Sequence, residues 1–195
     1  MEHRKPPQYI LEVFADPTCV KDIVRGILHT IFFHRYLSPL RPSYLEVLEF
    51  TLPLVADPDL ETLIDTRVGQ LIRQLSSTSS PKSSVRGSLV VEFFEKKRRK
   101  DGVLGWFGAK GEEGVCWESW CLEVTLATPK TEIERTKVTE AIGSTLQKTA
   151  MQVVTIVNRD KNHIPPLTTN EGNPFPFHIE LSPRVEGWGR SIGIF

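Results

Sequence analysis

The stretch Cys116-Trp-Glu-Ser-Trp-Cys-Leu-Glu-Val-Thr-Leu-Ala127 decides the architecture. Trp120, Leu122, Val124 and Leu126 fall on one side of an extended chain, and Ser119, Cys121, Glu123 and Thr125 on the other. This is the two-residue period of a half-buried strand, one face toward helices and the other toward water. The run Ser88 to Glu95 precedes it and reads as its hairpin partner. Shorter strand-like stretches are Tyr9 to Phe14 and Leu45 to Leu52. Pro174 to Leu181 reads as a further strand whose prolines suit a sheet edge or a strand start.

Three segments between these strands carry a helical period. Each opens with a capping residue and a proline, whose fixed φ and missing N–H suit a first helical turn: Asp16-Pro17, Asp57-Pro58 and Thr128-Pro129. The first places Val20, Ile23, Val24, Ile27, Leu28, Ile31 and Phe32 on one stripe and ends near Tyr36. The second repeats the pattern through Leu60, Leu63, Ile64, Val68, Leu71, Ile72 and Leu75. The third is the longest, with Val138, Ala141, Ile142, Leu146, Ala150, Val153, Val154 and Val157 on its stripe, and is expected to be the central helix. The order of elements describes an α+β fold, three helices packed on a mostly antiparallel sheet with a long hairpin loop.

At 195 residues without internal repeat, the chain reads as one domain, 1–195. Three segments stand apart within it: a flexible Ser-rich loop over 76–87, a projecting loop over 98–115 and a Gly-rich, poorly defined tail over 182–195. A formal net charge of zero supplies no long-range field, so nucleic acid is not an expected partner. The charged N-terminus shows no signal peptide, and no apolar run approaches the length of a membrane span. The expected location is cytoplasmic. Three cysteines, an odd number without a secretory signal, argue for reduced thiols rather than a disulfide framework.

The residues that could do chemistry are scattered. His29 and His34 are five apart on a helix, which turns them away from each other and from a shared metal. Cys116 and Cys121 are five apart on a strand, where odd spacing sends side chains to opposite faces. Gly102 to Gly108 lacks the Lys-Ser/Thr of a phosphate-binding loop. No catalytic residues, cofactor or metal are expected.

What stands out is the connection between the two long strands. Trp106 and Phe107 sit side by side among Gly102, Gly105, Gly108, Gly111 and Gly114, in a loop longer than hairpins ordinarily need. Exposed, the pair is an anchor for a protein partner; folded back, Trp106 plugs a surface cleft. Just before it Lys96, Lys97, Arg98, Arg99 and Lys100 form a basic run, suited either to an anionic surface or to a solvated strand end. A peripheral membrane-binding module, using this run beside the aromatic pair, is the alternative to a protein adaptor.

Several segments together resemble the autophagy-related protein 101 family: Ile27-Leu-His-Thr-Ile-Phe-Phe-His-Arg35, Ser88-Leu-Val-Val-Glu-Phe-Phe-Glu-Lys-Lys97 and Trp117-Glu-Ser-Trp120. Glu132-Ile-Glu-Arg135, Val153-Val-Thr-Ile-Val-Asn-Arg159 and His163-Ile-Pro-Pro166 extend the match. The resemblance implies a HORMA-like fold in an open-like, unswitched form. It implies a non-catalytic adaptor that forms a heterodimer with the HORMA domain of autophagy-related protein 13 in the kinase complex that starts autophagosome formation. It also implies recruitment to the preautophagosomal structure and assigns Trp106 and Phe107 to a finger that recruits downstream autophagy factors. The tail from Ser182 departs from the family pattern.

Overall fold

Four leucines in a row hold the sheet together. Leu11 is paired with Leu122, Leu122 with Leu89 and Leu89 with Leu181, one from each strand, and the first three are buried. The computed structural model describes residues 5–39, 41–77, 84–95, 114–167 and 175–182. The strands are β1 (Gln8–Ala15), β2 (Pro42–Val47), β3 (Phe50–Val55), β4 (Ser84–Glu95), β5 (Val115–Ala127) and β6 (Phe177–Leu181). The helices are α1 (Val20–Arg35), α2 (Pro58–Ser76) and α3 (Glu132–Arg159). The main sheet runs β1-β5-β4-β6, with β1 parallel to β5 and the other two ladders antiparallel. It is thus a mixed sheet in an α+β fold. Its register is pinned because a one-residue slip would turn Trp120, Leu122 and Val124 out to water.

Among the described residues strands β2 and β3 pair only with each other, and β3 lies against α1. A Cβ on Gly26 of α1 would meet Leu52 Cδ1 at 2.7 Å, so glycine lets the hairpin approach that closely. The helix α1 is therefore enclosed by the sheet, by α2, by α3 and by this hairpin, and every residue from Gly26 to Phe32 is buried. It, and not the longer α3, is the central helix. Helix α3 packs on β1 and α1 through Ile142, Leu146, Thr149, Val153, Ile156 and Val157, while Glu132 to Lys137 are all exposed.

The helix starts differ from expectation in two of three cases. Asp57 caps α2 as read, accepting from Leu60 N–H at 2.9 Å with Pro58 in the first turn. At α1, Asp16 closes a turn instead, accepting from the N–H groups of Thr18 and Cys19, and the helix begins at Val20. At α3 the cap is Thr131, not Thr128. Its hydroxyl accepts from Glu134 N–H and the Glu134 carboxylate accepts from Thr131 N–H, a capping box.

Leu45 to Leu52 is not one strand but a hairpin whose turn is Leu48-Glu49, and Leu48 takes φ 55°. Strand β4 begins at Ser84, so residues 84–87 belong to the sheet, and Ser76 ends α2; the intervening 78–83 lie outside the described residues. A bulge interrupts the β4–β5 ladder. Phe93 faces Glu118 and Phe94 faces Cys116, leaving Trp117 as the extra residue. The bulge also reverses the parity argument for the cysteines. Cys116, opposite Phe94, and Cys121, opposite Val90, share the outer face. Four positions still separate them, about 13 Å at the rise of a strand.

Candidate functional site

Trp106 and Phe107, and the basic run Lys96, Lys97, Arg98, Arg99 and Lys100, lie outside the described residues, as does Gly102 to Gly111. The stem that carries them is described in full, with β4 leading out at Glu95 and β5 returning at Val115. Its base is built around a carboxylate that is wholly buried.

Glu118 reaches the interior because it stands two residues before Trp120 on the core side of β5. Arg35, in the last turn of α1, meets it there: Arg35 Nε donates to Glu118 Oε1 at 2.8 Å and to Oε2 at 3.0 Å. Trp120 Nε1 also donates to Oε1, and His163 Nε2 lies 2.6 Å from Oε2. A buried ion pair of this kind is sustained only where the remaining lone pairs find partners, and here they do. The guanidinium has a second task, since its Nη2 donates to the carbonyl of Asp160 just past α3. One arginine thereby ties the ends of two helices to the hairpin stem.

Tyr9 extends the network, donating its hydroxyl to Asp160 Oδ2 at 3.1 Å. Burial, and then the Asp160 carboxylate, push the Tyr9 hydroxyl up to about 12. The hydrogen bond from Arg159, followed by that from Tyr9, holds Asp160 down to about 2 against some desolvation. Around these groups aromatic rings pack edge to face or tilted: Trp117 on Phe175, Phe93 and His163, Tyr9 on Trp120, Phe177 on Phe32. The root of the hairpin is thus held by packed rings and by charge-assisted hydrogen bonds.

The other sequence candidates fall elsewhere. His29 is fully buried on α1, and neither ring nitrogen has a partner among the described residues. Burial, and then Arg25 nearby, press its pKa down to about 4. His34 is held below its usual value by burial and then by Arg35. Cys19, Cys116 and Cys121 are free thiols, and burial raises all three, Cys19 to about 11. Among the described residues no group of three His, Cys, Asp or Glu side chains is gathered to hold a metal ion. None of the described helices is long and apolar enough to cross a membrane.

Glu118 is the residue that sequence reasoning passed over, although the alternation that placed Trp120 inside places Glu118 inside as well. Its distant partners had no such signal, because Arg35 and His163 meet it, and Asp160 meets Arg35, only through the tertiary fold.

These features define a class: an α+β domain whose buried charge network ties the β4–β5 hairpin to the ends of two helices. The family model of autophagy-related protein 101 matches residues 12–171, and the chain belongs to that family. Autophagy-related protein 101 of Schizosaccharomyces pombe is 27% identical over 169 residues, covering 86% of this chain and 83% of that protein. The protein of the same description from Arabidopsis thaliana is 27% identical over 183 residues, covering 83% and 80%.

Proposed function

We propose that the chain is a non-catalytic adaptor of the autophagy-initiating kinase complex. It has a HORMA-like fold, pairs one-to-one with the HORMA domain of autophagy-related protein 13 and stabilises it, and recruits downstream factors through Trp106 and Phe107. It acts in the cytoplasm and at the preautophagosomal structure. One observation carries this reading: inside the span matched by the family, the stem of the finger hairpin is anchored by the buried Glu118–Arg35 pair. A fixed root lowers the ordering cost that a docking anchor would otherwise bear on binding. Three helices, a four-stranded sheet and a small hairpin over α1 also accord with the HORMA-like reading.

Replacing Trp106 and Phe107 together with alanine tests it. Melting temperature and pairing with the HORMA domain should be unchanged, while capture of downstream factors from a cell extract is lost. A melting temperature lower by many degrees would instead make the pair part of the core. Retained capture, with salt-sensitive liposome binding through Lys96 to Lys100, would transfer the role to a membrane surface.

A further inference from the structure

A sheet edge is a row of backbone donors and acceptors that water or another chain must satisfy, and most edges in folded proteins are blocked or covered. The outer edge of β1 is covered by α3, whose Gln152 side chain donates to the Ile10 carbonyl at 3.2 Å and whose Thr149 hydroxyl donates to the Glu12 carbonyl at 2.5 Å. Strand β3 packs on α1, and its outer edge carries Pro53, which has no N–H to offer. Strand β2 opens with Pro42, which likewise has no N–H at the first outward position, but at Tyr44 and Glu46 it has neither device.

The ladder fixes which of its groups point outward. A two-residue turn closes the hairpin on the pair Val47 and Phe50, so Val47, Leu45 and Ser43 bond to β3, while Tyr44 and Glu46 aim their N–H and C=O away from it. Among the described residues no turn, loop or side-chain hydrogen bond ends on the backbone of either. The side chains beside this edge are also uncovered: Tyr44 is 67% exposed, and Leu48, at the tip with φ 55°, is 50% exposed. A leucine held in the left-handed region at a hairpin tip costs stability, and such strain is found where a segment serves recognition.

We infer that the outer edge of β2 is a docking site for an extended segment of a partner protein, which adds a strand to the β2–β3 hairpin. Backbone bonds to Tyr44 and Glu46 supply the attachment, and the two faces of β2 define the sequence that fits. On the inner face, Leu45 is half-buried and Val47 buried, so the segment carries apolar side chains at alternate positions. On the outer face, Tyr44 favours a β-branched or aromatic neighbour and the Glu46 carboxylate favours lysine or arginine. The preferred partner segment is therefore extended, alternating and basic.

The test uses the full chain and a ten-residue peptide alternating valine with lysine and threonine, followed by amide hydrogen exchange. Added peptide should slow the Tyr44 and Glu46 amides at least tenfold, and the same peptide N-methylated at alternate backbone positions should have no effect. A glutamate-for-lysine peptide should bind the natural chain at least tenfold more weakly, and the Glu46→Lys variant should reverse that preference. Tyr44→Pro removes an outward N–H that the hairpin ladder does not use, so it should fold and lose the peptide. Unchanged exchange at Tyr44 and Glu46, protection only along β6, or equal binding of the N-methylated peptide would overturn the inference. Slowing that grows with protein concentration in the absence of peptide would give the edge to a second copy of this chain, and would also overturn it.

Discussion

Arg35 Nε stands 2.8 Å from Glu118 Oε1, with the arginine side chain 3% exposed and the glutamate 0%. The two residues lie on the end of the central helix and in the β4–β5 hairpin, 83 positions apart in sequence. Removing charge from water is costly, and the gain from pairing depends on both partners being present. Glu118→Ala should therefore destabilise the chain by about 3–5 kcal/mol, because the guanidinium would be left buried without its anion. The double variant Arg35→Met, Glu118→Leu should recover most of that loss. Urea unfolding of the three proteins measures it, and a Glu118→Ala variant as stable as the natural chain would refute a structural role for the pair.

His29 makes stability depend on pH with a predictable sign. Its folded pKa of about 4 lies below the ordinary 6.5, so the unfolded chain takes up the proton first as pH falls. The stabilisation is complete above pH 6.5 and is lost progressively down to about 4, at no more than about 1.4 kcal/mol per pH unit. His29→Leu should flatten this part of the profile. A shallower slope of the same sign should remain from His34, which is also held low. The depressed carboxylates Asp16, Asp57 and Asp160 add their own loss only at lower pH. Melting temperatures of both proteins between pH 4.5 and 7.5 provide the comparison.

Leu48 offers a gain rather than a loss. Its φ of 55° suits glycine, and the side chain is half exposed, so little burial would be given up. Leu48→Gly should stabilise the chain by about 0.5–1 kcal/mol, the left-handed strain relieved less the added freedom of glycine in the unfolded state. A lower melting temperature would show that the leucine is held by contacts worth more than the strain.

Where the sequence was legible, the reason was a period or a cap. The alternation from Ser119 to Leu126 specified the buried face of β5, and Asp57-Pro58 marked the start of α2 within the expected turn. The β2–β3 hairpin was hidden because its turn, Leu48-Glu49, contains no glycine, asparagine or aspartate. The bulge at Trp117 likewise has no glycine at the extra residue, so the parity of Cys116 came out reversed. The central place of α1 was hidden for another reason. A hydrophobic stripe tells which way a helix faces, but not that a separate hairpin closes over its other side at Gly26. Of the site, the hairpin and Glu118 were readable in the alternation, whereas Arg35, Asp160 and His163 converge through contacts that no local pattern encodes.

The proposed role is to pair with, and steady, the HORMA domain of autophagy-related protein 13. The direct measurement is co-purification of the chain with the HORMA domain of autophagy-related protein 13, with the melting temperature of each taken alone and together. A one-to-one complex melting above either component is predicted, since binding to the native state alone raises apparent stability. Two proteins that elute apart, with this chain melting at the same temperature in the presence and absence of the other, would contradict it.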